Sequence, residues 1–118
     1  MSNEIQGRSA RAAGAGAATL LSEHTRREID HWIAKFPPGR QRSACIAALR
    51  AAQEQNQGHL TKALMDAVAE YLALPPIQVY EVAGFYSMFE LHPCGRHHVS
   101  ICTNISCMLR GGEDIAAY

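Results

Sequence analysis

The sequence predicts an α+β chain, an N-terminal helical bundle followed by a short strand, loop and helix. Three observations carry this. Apolar residues recur at helical spacing between residues 22 and 92. That run is cut by Pro37-Pro38-Gly39, Asn56-Gln57-Gly58 and Pro75-Pro76. At Pro93-Cys94-Gly95 the pattern changes to β-branched alternation. The expected division is a disordered tail over 1–21, a helical bundle over 22–92, and a different unit over 93–118.

In the bundle, Thr25 and Glu28 form a capping box that opens a first helix. Its apolar face is Ile29, Trp32, Ile33 and Phe36, and the proline pair ends it because proline lacks the donor and clashes with the preceding turn. A second helix is expected from Gln41 to Gln55, with Cys45, Ala48, Leu49 and Ala52 on one face. Thr61 is the expected N-cap of a third helix carrying Leu64, Val68, Tyr71 and Leu72. Pro76 suits the first turn of a fourth, where a missing N–H costs little. Its face is Val79, Val82, Ala83 and Tyr86, extended by Phe85 and Phe89. The group Tyr80, Phe85, Tyr86 and Phe89 reads as core rather than as a cofactor box.

Beyond the bundle, His98-Val99-Ser100-Ile101-Cys102 reads as a strand. A helix is expected from about Met108 to Tyr118, with Gly111 and Gly112 weakening its start. A lone strand and helix do not make a stable sheet, so this segment packs on the bundle or begins something longer.

Composition excludes several functions. Eleven basic residues balance eleven acidic ones, so there is no field to draw in nucleic acid. No stretch approaches the roughly 18 consecutive apolar residues of a membrane-spanning helix, so no direct membrane insertion is expected. Arg8 and Arg11 ahead of Ala12–Leu21 faintly resemble a targeting segment, but Glu4, Gly14 and Gly16 dilute it. The better reading is an Ala/Gly-rich tail that buries too little apolar surface to offset its ordering entropy. The four cysteines are unevenly spaced, which points to a reducing compartment rather than a disulfide framework.

The sharpest chemical feature is Cys102-Thr103-Asn104-Ile105-Ser106-Cys107, a C-x4-C pair between the expected strand and helix. Thiolates ligate iron–sulfur clusters, and C-x4-C is one known cluster spacing. The backbone N–H groups of Thr103 to Ser106 are placed to hydrogen-bond cluster sulfur and to favour thiolate. Other readings compete. A plant-type ferredoxin needs a cysteine at the position of Arg110, and a Rieske centre needs interleaved histidines. Zinc would draw on Cys94, Cys102, Cys107 and His97 or His98, without any C-x2-C or H-x3-H unit. A thiol–disulfide pair would normally have x2 spacing. Two cysteines five positions apart also arise without function. Cys45 reads as a small buried hydrophobe, and His24, His31 and His59 as surface or partly buried residues.

A wider set of residues carries a resemblance. Gly58-His59-Leu60, Ala67-Val68-Ala69-Glu70-Tyr71-Leu72, Val79 to Phe89 (VYEVAGFYSMF), the Cys102–Cys107 loop and Gly111-Gly112-Glu113 occur in that order. Together they resemble the E-subunit family of NADH-quinone oxidoreductase (respiratory complex I), the thioredoxin-like 2Fe-2S ferredoxins. Related subunits of NAD-linked hydrogenases and formate dehydrogenases belong to the same family. The resemblance spans about residues 22 to 118. It implies a thioredoxin-like domain after the helices, holding one 2Fe-2S cluster on a C-x4-C pair and a later C-x3-C pair. Cys102 and Cys107 match the first pair, so they are the expected cofactor- and metal-binding residues, two of four ligands. Cys94 matches no ligand, and Gly84 stands where threonine is common. The chain stops at Tyr118, before the second pair, so a truncated domain is expected.

The resemblance further implies an oxidoreductase subunit for electron transfer, with no catalytic residue of its own. The cluster would exchange electrons with the flavin of a partner flavoprotein, which binds FMN and NADH. The setting would be cytoplasmic, or peripheral on the inner face of a membrane through the complex. A helical assembly module that never holds iron is the competing class.

Overall fold

A computed structural model describes residues 19–118. The expected tail and the targeting-like segment lie outside the described residues, except for positions 19–21. Of these, Leu21 is buried in the core.

The described residues form α1 (Glu23–Ile33), α2 (Cys45–Gln55), α3 (Lys62–Tyr71), α4 (Pro76–Phe85), α5 (Ile105–Leu109) and α6 (Gly112–Ala117), with residues 19–20 also helical. A 3₁₀ turn, Gln41–Ala44, leads directly into α2, so the second expected helix is present with a tightened first turn.

Helix α1 is capped by Ser22, not Thr25. The Ser22 hydroxyl accepts from the Thr25 backbone N–H at 3.1 Å. Thr25 is instead buried inside the first turn and donates its hydroxyl to Gln55 Oε1 at 2.8 Å. Gln55 also accepts from the Ser22 backbone N–H at 2.9 Å and donates to the Leu20 carbonyl at 2.7 Å, so one side chain at the end of α2 fixes the start of α1. Helix α3 has the expected Thr61 cap, whose hydroxyl accepts from Leu64 N at 3.2 Å, and Pro76 occupies the first turn of α4.

The core is Ile29 of α1; Cys45, Ala48, Leu49 and Ala52 of α2; Leu64, Ala67, Val68 and Ala69 of α3; and Val79 and Ala83 of α4. Leu21, Leu60, Leu72 and Phe89 close it from the connections. Ala48 and Ala52 are small residues on the buried face of α2.

The expected aromatic core is reduced to Phe89. Phe85 is 80% exposed, because it stands about 120° around α4 from Val79. Tyr86 adopts extended backbone where α4 ends, leaves the buried face, and meets the Phe85 ring edge-on with centroids 5.0 Å apart. Trp32 is also at the surface, with Lys35 Nζ 3.8 Å from its ring centroid.

Two expectations about the last segment are corrected. Residues 98–102 form no strand, and no strand occurs among the described residues. A strand exists only as a member of a ladder, and alternation alone supplies no partner. The final helix starts earlier than expected, at Ile105, and is broken in two at Gly111, whose φ of +88° turns the chain out of α5. The β component of the expected α+β class is therefore absent among the described residues, which are helical.

Candidate functional site

The route from bundle to cysteine loop is fixed by three hydrogen bonds. Gln53 Nε2 donates to the Met88 carbonyl at 3.2 Å, and Gln53 Oε1 accepts from the Glu90 backbone N–H at 2.9 Å. The Leu60 backbone N–H donates to the Glu90 carbonyl at 2.7 Å. Downstream, His98 Nδ1 lies 3.9 Å from Glu90 Oε1.

Cys102 lies in the loop before α5 and Cys107 within α5, and both thiols are free and exposed. Asn104 caps α5 by accepting the Ile105 backbone N–H on its side-chain oxygen at 2.8 Å. The Asn104 backbone N–H faces Cys102. Its bond to the sulfur is the first cause holding the Cys102 thiol below its ordinary value, and a bond from the Cys107 side chain is the second. Both favour thiolate, the form that binds metal. With Asn104, Ile105 and Ser106, the two cysteines line an open hollow of about 400 Å³.

The other cysteines do not join them. Cys45 is buried on α2, and burial pushes its thiol up despite nearby Arg42. Cys94 donates to the Gly58 carbonyl at 3.5 Å. It lines a larger hollow of about 760 Å³ with Gln53, Glu90 and His98. That hollow holds one thiol, so its size gives it no claim as a thiolate site. No group of three or more His, Cys, Asp or Glu residues placed to hold a metal ion occurs among the described residues. Cys102 and Cys107 are thus the paired exposed thiols of the loop, with an N–H donor beside Cys102.

Gly112 is a site residue that spacing alone did not reveal. Within 91–118 it alone is buried. A Cβ there would fall 2.8 Å from the carbonyl oxygens of both Cys102 and Cys107. In the sequence the Gly-Gly pair signals only a weak helix start.

A helical bundle leading into a loop with two exposed cysteines, the Cys102 thiol lowered, defines a class of small helical proteins with a paired-thiol loop. The chain belongs to the thioredoxin-like [2Fe-2S] ferredoxin family, whose sequence model matches residues 29–118. It is similar to proteins named as the E subunit of NADH-quinone oxidoreductase. One from Rickettsia typhi (strain ATCC VR-144 / Wilmington) is 47% identical over 83 residues, 70% of this chain and 49% of the relative. One from Rickettsia bellii (strain RML369-C) is 46% identical over 83 residues, 70% of this chain and 50% of the relative. The first of the E subunits of Rhizobium meliloti (strain 1021) is 44% identical over 100 residues, 84% of this chain and 36% of the relative. The chain spans about half the length of the Rickettsia relatives and about a third of the Rhizobium one. These relatives are subunits of an oxidoreductase complex. Among the described residues no helix is long and apolar enough to cross a membrane.

Proposed function

We propose that this chain is an electron-transfer subunit of an NADH-quinone oxidoreductase, and that Cys102 and Cys107 supply two of the four thiolates of a 2Fe-2S cluster. The observation carrying this reading is the Cys102 thiol, lowered by the Asn104 N–H and by Cys107 at the mouth of the same hollow. When bound, the cluster accepts and donates single electrons, and the protein's share is ligation, hydrogen bonding and exposure.

The residues of the chain divide the work. Cys102 and Cys107 bind through sulfur. The Asn104 N–H steadies negative charge on Cys102, and the Asn104 side chain caps α5. Residues 22–92 form the bundle unit, and residues 93–118 belong to the thioredoxin-like unit. The partner is a flavoprotein subunit that binds NADH and FMN, and the location is cytoplasmic or peripheral on the inner face of a membrane. An NAD-linked formate dehydrogenase or hydrogenase would use the same subunit in the same way.

A second reading, a helical assembly module without iron, is favoured by the exposed Phe85 and Met88 after the bundle core. Anaerobic reconstitution of the full chain with iron and sulfide separates the two. Acid-labile sulfide and a reducible visible spectrum, both lost on Cys102→Ser or Cys107→Ser, support ligation. A colourless protein, or a spectrum indifferent to both serines, rejects it.

A further inference from the structure

We propose that Gly112 is a positioning residue that sets the separation of Cys102 and Cys107. The two cysteines are five residues apart, and the one helix of the loop, α5, is only five residues long and carries Cys107 itself, so the loop has little internal support. What closes it is the backbone of Gly112. The carbonyl oxygens of Cys102 and Cys107 both converge on the point where a Cβ would stand, each at 2.8 Å, with the Cys107 carbonyl carbon at 3.0 Å. Real Cβ atoms do not approach carbonyl oxygens so closely, and the obstructing atoms are backbone that cannot swing aside like a side-chain end. An alanine there must push apart the two main-chain segments that carry the sulfurs.

Three features mark this as a property of Gly112 rather than of small residues in general. Gly111 has φ +88° but has only the Asp114 carboxylate nearby, at 3.8 Å, so its requirement is for left-handed backbone and not for space. Asparagine tolerates such backbone. Gly84, inside α4, has nothing within 4 Å of its would-be Cβ and demands neither. Gly112 is buried although its neighbours Gly111, Glu113 and the cysteines are not, which places it under the loop it supports.

The function of this contact rests on the cluster reading, but its geometry does not, so the test is made without iron. The reduced full chain is treated with dibromobimane, which bridges two nearby thiols. The His97–Arg110 tryptic peptide, which contains Cys102 and Cys107 and no other cysteine, is then quantified by mass spectrometry. Gly112→Ala is expected to slow bridging several-fold, towards the rate of the urea-unfolded chain. Gly84→Ala and Gly111→Asn are expected to stay near the wild-type rate. Helical circular dichroism of the bundle should be the same in all four proteins. In wild-type protein, NOEs from the Gly112 Hα protons to both Cys102 and Cys107 are expected, a measurement that needs no variant to fold. Equal bridging in Gly112→Ala and wild type, equal slowing in Gly111→Asn, or absence of either NOE overturns the proposal. Failure of wild-type protein to take up iron rejects the cluster reading and leaves these results intact.

Discussion

Gln53 holds Glu90 through its backbone N–H at 2.9 Å while donating to the Met88 carbonyl at 3.2 Å, so a side chain of α2 acts as a pairing strand for the segment leaving the bundle. Gln53→Ala removes both bonds and leaves two main-chain groups to find water. A loss of about 1–2 kcal/mol is expected. Urea unfolding followed by circular dichroism checks it, and a change below a few tenths of a kcal/mol would show that the loop does not depend on this clamp.

The second prediction concerns the deepest part of the core. Leu49 is fully buried at the centre of α2, among residues of α1 and α3. Leu49→Ala leaves a cavity in the core and should cost about 2–5 kcal/mol. The drop in thermal midpoint measures it, and Ile46→Ala, at an exposed position of the same helix, serves as the comparison that should move little.

The third follows from Tyr71, whose hydroxyl donates to Asp30 Oδ1 at 2.8 Å and ties α3 to α1. Its phenol is pushed up to about 12, first by burial and then by the Asp30 carboxylate, from an ordinary 10.0. The folded value lies above the unfolded one. The stabilisation is therefore complete below pH 10.0 and is lost as pH rises through about 12. Tyr71→Phe should lower stability by about 1 kcal/mol at neutral pH. The gap between variant and wild type should close across that alkaline window, as read by denaturant titrations at a series of pH values. A gap that is constant with pH contradicts the assignment.

The fourth addresses the thiols directly. Because the folded Cys102 thiol is lowered, its alkylation by iodoacetamide should reach half-maximal rate below pH 9.0 and shift upward when the chain is unfolded in urea. Cys107→Ala should move the profile part of the way, leaving the share due to the Asn104 N–H. Cys45, buried and raised, should resist labelling until unfolding. Peptide mapping after timed labelling distinguishes the sites.

Much of the bundle is legible in the order of its residues. Periodicity places Ile29, Cys45, Ala48, Leu49, Ala52, Leu64, Val68, Leu72, Val79 and Ala83 inside, and all are buried. The Thr61 cap and the Pro76 start are readable because each depends on one residue's own hydrogen-bonding capacity. Ser22 is missed as a cap because Thr25 also fits the rule, and only the distant Gln55 decides between them. Phe85 is misplaced because it stands off the buried face of α4, and Tyr86 because α4 ends there. Gly112 is unreadable because the atoms that require it to be glycine belong to residues on either side of a loop.

The sequence by itself determined the four helices of the bundle, their breaks, their buried stripe and the pair of cysteines at x4 spacing, since each is written in local spacing and residue type. The tertiary structure alone decided which cap opens α1, which aromatics stay at the surface, how Gln53 and Gln55 pin the connections, and that Gly112 underlies both cysteines. These depend on atoms that approach through space from elsewhere in the chain, and no local pattern encodes a distance between remote residues.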